Sequence, residues 1–186
     1  MKKLRLLMLL LALAAMLGGT ALADSETDNY FTTYYSNANT ANAPDATVRI
    51  INDGSTGGDI YAAIFVFDDS EELTECCDCE ITPDGLLSES VNKELTANPL
   101  TGIKPTRGVI KVISSLVDGG GGLGTRGLHA WATHVQKLPS GYALTESPFA
   151  DSNLSPTEQQ LLYALCYYDS LLSGKPCICT PEDQDF

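Results

Sequence analysis

The chain has 186 residues, with 24 Asp+Glu against 11 Lys+Arg and a formal net charge of −13 at pH 7. That length fits one domain behind a leader and is long enough to bury roughly 70% of its unfolded surface. So acidic a surface repels phosphate backbones and anionic lipid, which argues against nucleic-acid and polybasic membrane partners.

Lys2, Lys3 and Arg5 precede an uninterrupted apolar run from Leu6 to Leu17. Two glycines and then Ala21-Leu22-Ala23 complete the charged, apolar, small-residue order of a secretory signal, with cleavage expected before Asp24. The run has 12 residues, short of the about 20 that cross a bilayer. Loss of residues 1–23 removes three positive charges, so the expected mature chain has 163 residues and a charge of −16. No later stretch is apolar enough to span a membrane, and secretion to the periplasm or outside the cell is expected.

Residues 24–44 are polar and Asn-rich and read as a flexible leader. The hexad Tyr30-Phe31-Thr32-Thr33-Tyr34-Tyr35 inside it has high β propensity and is suited to pairing with a sheet edge. Strands are predicted at Thr47–Asn52, Asp59–Phe67, Leu73–Cys79, Leu86–Val91, Gly108–Leu116, Leu128–Val135 and Tyr142–Thr145, parted by turns such as Asp53-Gly54 and Thr82-Pro83-Asp84-Gly85. Ser155-Pro156-Thr157-Glu158 then opens a helix as a capping box. Leu161, Leu162, Leu165, Cys166, Tyr168 and Leu172 recur along it at helical spacing, with Gly174 as the stop. Residues 45–180 form the expected domain, and 181–186 an acidic tail.

Six cysteines fall in two clusters, Cys76, Cys77 and Cys79, then Cys166, Cys177 and Cys179. An even number in an exported chain points to disulfides. Adjacent cysteines rarely bond each other, so the first cluster is expected to cross-link to the second, in a pairing the sequence leaves open. On the strand at Leu73–Cys79, Cys77 and Cys79 share a face and Cys76 points the other way. Cys166, on the apolar side of the helix, is placed to bond inward.

Other motifs read blandly. His129 and His134 are five apart on one strand, hence on opposite faces, and His129 shares its face with Trp131. Gly119–Gly124 contains G-x-G-x-x-G, yet a strand follows where a dinucleotide site needs a helix. Asp68, Asp69, Glu71 and Glu72 read as a solvated turn, since they do not fit a calcium loop. No catalytic set, cofactor site or metal site stands out.

Several stretches together carry a resemblance. Glu75-Cys76-Cys77-Asp78-Cys79 is followed by Thr82-Pro83-Asp84-Gly85-Leu86 and by Ser90–Thr96, then by Asn98-Pro99-Leu100-Thr101, the strand around Trp131 and Cys177-Ile178-Cys179. Over most of residues 47–179 the chain resembles a group of small secreted bacterial proteins without an assigned function. Members of that group often carry a further cysteine where this chain has Tyr61, so the resemblance implies no pairing for these six. It implies a secreted domain and no activity.

The expected fold is therefore mainly β: an antiparallel, immunoglobulin-like β-sandwich with one C-terminal helix, cross-linked by disulfides. The expected function is a non-catalytic binding or structural module for an extracellular or envelope partner. The alternatives are a self-assembling subunit that adds the leader strand to a neighbour's sheet, a secreted hydrolase, and a metal binder using the cysteines.

Overall fold

The computed structural model describes residues 29–120, 124–173 and 179. The expected signal at 1–23, the first residues of the leader, Cys177 and the tail at 181–186 lie outside them. Among the described residues no helix is long and apolar enough to cross a membrane.

Among the described residues nine strands form two antiparallel sheets. They are β1 (Tyr30–Ser36), β2 (Thr47–Asn52), β3 (Ile60–Asp68), β4 (Leu73–Ile81), β5 (Leu86–Ser90), β6 (Arg107–Ser115), β7 (Leu128–Leu138), β8 (Gly141–Pro148) and β9 (Ala150–Asp151). The first sheet runs β4-β3-β6-β1-β9 and the second β5-β2-β7-β8. Pairing fixes which side chains face inward, because alternate residues point to opposite faces. Thus Ile60, Ala62, Ile64 and Val66 of β3 meet Val48 and Ile50 of β2 and Leu128, Ala130 and Ala132 of β7 in one buried core between the sheets. An immunoglobulin sandwich orders its strands A-B-E-D and C-F-G. Here β1 pairs with β6 and β9 instead of β2, so the strand order itself does not carry the immunoglobulin-like part of the expectation.

A helix, α1 (Pro156–Ser173), covers the outer face of the first sheet. Leu162, with Tyr163 and Cys166 beside it, packs on Tyr30, Ala63, Phe65, Cys76 and Ile113. Ser155 caps it, its Oγ accepting the Glu158 N–H at 3.1 Å. The reciprocal half of the capping box is absent from the contacts. The Glu158 carboxylate instead accepts from Lys111 Nζ at 2.6 Å and from the Tyr30 hydroxyl at 3.4 Å, tying the first turn to β6 and β1.

The flexible-leader reading is corrected for the described part of residues 24–44. Tyr30–Ser36 pairs with β6 from Tyr30↔Ile113 to Ser36↔Arg107, and Phe31 and Thr32 also pair with β9. Tyr30, Phe31 and Tyr35 are buried. The polar run after β1 is equally fixed. Asn37, Asn39 and Asn42 take left-handed backbone conformations, which Asn tolerates. The Asn39 side chain donates to Thr96 Oγ1 and to the Pro105 carbonyl, both at 2.9 Å. Asp45 accepts from the Asn92 N–H at 3.0 Å and from the Ser90 hydroxyl, seating a single wide helical turn, Val91–Leu95, after β5. Composition misled because asparagines that hold a loop look the same in sequence as asparagines in a mobile one.

One close approach fixes the β3–β6 edge. A Cβ at Gly108 would lie 1.8 Å from the Phe67 carbonyl oxygen, so only glycine fits opposite Asp68 at the end of that ladder.

Candidate binding face

The cysteines hold the helix side of the molecule. Cys76, on the outer face of β4, bonds Cys166 of α1, and Cys79, on the inner face, bonds Cys179. Cys77 faces the inter-sheet core and is disulfide-bonded as well. The described cysteines are thus structural cross-links, and none of them is a free thiol. Cys77 and Cys79 do share a face opposite to Cys76, as the alternation of a strand requires.

The two histidines separate as expected. His134 is buried at the β7–β1 junction, its Nε2 2.8 Å from Ser147 Oγ and its ring stacked on Tyr34 at 4.3 Å between centroids. Burial holds its pKa below the ordinary imidazole value, so the ring is neutral at pH 7 and acts as a packing element. His129 projects outward. The acidic turn is a structural device: Asp68 accepts from the N–H groups of Ser70 and Glu72 at 2.8 and 3.0 Å, and Asp69 pairs with Arg107 at 2.6 Å. Among the described residues no three His, Cys, Asp or Glu side chains are grouped to hold a metal. The glycine stretch opens with a 3₁₀ turn, Asp118–Gly120, whose Gly119 N–H donates to Asp78 at 2.6 Å. It links β6 to β7.

The outer face of the second sheet holds a group of chemically varied, accessible side chains that register brings together. In the ladder Arg49 stands opposite Trp131, and Trp131 opposite Pro148. Since Ala130 and Ala132 face the core, Trp131, half-buried between neighbours, lies on the solvent side. Arg49 of β2 reaches across β7 to Glu146 of β8 at 3.1 Å. On the other flank His129 Nε2 sits 3.2 Å from Asp53, and its ring is 6.3 Å from the indole. Hydrogen bonds from Ser55 and from the His129 ring hold the Asp53 carboxyl below its ordinary pKa. The side chains of Arg49, Glu146 and His129 are 40%, 52% and 53% exposed, so the Arg49–Glu146 pair contributes about 0.2–1 kcal/mol and the groups stay free to exchange partners. The result is a strip of Asp53, His129, Trp131, Arg49 and Glu146, an aromatic centre with a matched acid–base pair on each side.

Sequence reasoning placed Trp131 and His129 on one face but did not find Arg49, Glu146 or Asp53. Their signal is the alternation of β2, β7 and β8, which puts odd residues of β2 and β7 outward. Which strands neighbour one another is settled only by the fold.

A second group of acidic and phenolic side chains is carried by β4 and α1. Glu75 is buried, and its carboxyl is pushed up to about 7, first by burial and also by the charge of Asp169, itself buried and raised. Asp78 is pushed up to about 6, again chiefly by burial. Tyr163, packed edge-on to Phe65 at 5.5 Å between centroids, is raised by the same cause. Glu75 and Asp169 are buried and bear on stability.

No protein-family model matches the chain, and no curated protein matches it. A solved structure described as "Crystal Structure of Thermotoga maritima 1070" is similar to it with a TM-score of 0.45 and 13% sequence identity, over 69% of this chain and 98% of that one. So low a likeness bears on neither the site nor the function.

Proposed function

We propose that the protein is a secreted, disulfide-stabilised, non-catalytic module that binds a neutral, hydroxyl-rich ligand of the extracellular or envelope space, such as a glycan chain, on the outer face of the second sheet. The observation that carries this is Trp131 flanked on one side by the Arg49–Glu146 ion pair and on the other by the His129–Asp53 hydrogen bond. An indole offers a flat apolar surface to one face of a sugar ring, while Arg49, Glu146, His129 and Asp53 offer donors and acceptors around it. With histidine counted neutral, as in the chain's charge of −13, the strip sets Arg49 against Glu146 and Asp53, a small negative excess that disfavours a polyanion and leaves an uncharged ligand preferred. The signal-like N-terminus and the cysteine cross-links support export, as does the E-C-C-x-C segment resembling that of small secreted bacterial proteins.

Trp131 is the chain's single tryptophan, so its fluorescence reports this face alone. Titration with a panel of neutral and charged oligosaccharides is expected to shift or quench that emission for a neutral member. Trp131→Ala is expected to weaken the same binding, followed by calorimetry, about thirtyfold, a hot-spot loss of about 2 kcal/mol. Arg49→Ala should weaken it less. Unchanged emission across the panel, or full affinity in Trp131→Ala, would remove the reading.

A further inference from the structure

The helix buries the wrong side for a simple amphipathic reading. Of the six residues that recur at helical spacing, only Leu162 and Cys166 face the sheet. Leu161, Leu165, Tyr168 and Leu172 form a stripe along one flank, about 60–120° round the helix from Leu162, and are 56%, 37%, 61% and 70% exposed. Tyr167 and Leu171 widen it. The Cys76–Cys166 bridge pins the inner side to β4, so the helix cannot roll to hide the stripe.

We infer that this stripe is the contact surface for a second copy of the same chain, two α1 helices packing antiparallel about a two-fold axis. Three observations select that occupant. The spacing 161, 165, 168, 172 is four, three, four, the coiled-coil interval, and it reads the same in both directions. An antiparallel copy therefore sets Leu161 against the other Leu172 and Leu165 against the other Tyr168, as an isologous interface demands. From Gln159 to Ser173 the only acidic or basic side chain is Asp169, which is buried. On so anionic a molecule this is a surface where two copies meet without like charges face to face. Six large apolar side chains exposed side by side also make a patch of the kind that marks an interaction site.

The test uses the full chain with its disulfides formed, followed by light scattering and sedimentation over a concentration series. Wild type should show twice the monomer mass at the upper end. Leu161→Lys and Leu172→Glu, both at exposed positions, should each raise the dissociation constant more than about a hundredfold with unchanged circular dichroism. The double variant places Lys opposite Glu in the dimer and should recover association. A wild-type chain that stays monomeric throughout overturns the inference, as does a dimer that both single variants retain. Failure of the double variant to recover overturns the antiparallel pairing. A monomer that instead sediments with phosphatidylcholine vesicles assigns the stripe to lipid.

Discussion

Replacing Cys79 and Cys179 together by alanine is expected to lower the unfolding free energy by about 3–5 kcal/mol and the thermal midpoint by about 10 °C. The bridge spans 100 residues in sequence, but with Cys76–Cys166 still closed its loss frees a loop of only about 16 residues, worth about 3 kcal/mol in the chain-entropy model. Cys79 is fully buried in the inter-sheet core, so the loss of its sulfur adds a packing defect. Opening Cys76–Cys166 with Cys79–Cys179 still closed frees the same short loop. Any difference between the two double variants therefore reports local packing. Without the second bridge, α1 is held by Leu162, Tyr163 and the Glu158–Lys111 contact, at the edge of the structure. Amide exchange should quicken along residues 156–173 in Cys76→Ala/Cys166→Ala while β3 and β6 keep their protection. Urea denaturation and exchange measured by mass spectrometry check both. A shift below about 1 kcal/mol in the first variant would show that the sheets hold without this cross-link.

The protein should also be more stable at pH 5 than at pH 8, by on the order of 1–3 kcal/mol. Glu75 and Asp78 have folded-state values of about 7 and about 6, above their ordinary 4.5 and 3.8, and Asp169 is raised as well. A carboxyl whose folded pKa is raised holds a proton in the native state that the unfolded chain has already lost. The native state then binds more protons between pH 4 and 7, so stability falls as pH rises through that window and levels off above it. Burial is the first cause for all three, since a buried carboxylate loses its hydration. Glu75→Gln with Asp169→Asn keeps the shape and removes the titration, and should flatten most of the slope. A thermal midpoint that rises from pH 5 to pH 8 in wild type would contradict the role of these carboxyls.

Much of the architecture was legible because the strands obey period two. Thr47–Asn52 is observed at its expected bounds, and the strands at Ile60–Asp68, Leu73–Ile81 and Leu128–Leu138 differ from expectation only at their ends. The cap at Ser155 and the opposed faces of Cys76 and Cys77 were legible for the same reason: both follow from local backbone geometry. β1 was not recognised as a core strand, because its apolar content is carried by tyrosines and its flanks by asparagines. The helix was placed correctly but its inner side was not, since leucines and tyrosines surround it on all sides. Only the pull of Cys76 on Cys166 and the fit of Leu162 against Phe65 and Ile113 choose the buried stripe. The binding strip shows the same division. The sequence by itself determined that Trp131 and His129 share a face, because residues two apart on a strand must. The tertiary structure alone decided that Arg49, Glu146 and Asp53 flank them and that Glu75 meets Asp169, because strand order and helix docking are settled by contacts between residues far apart in the chain, which no local pattern encodes.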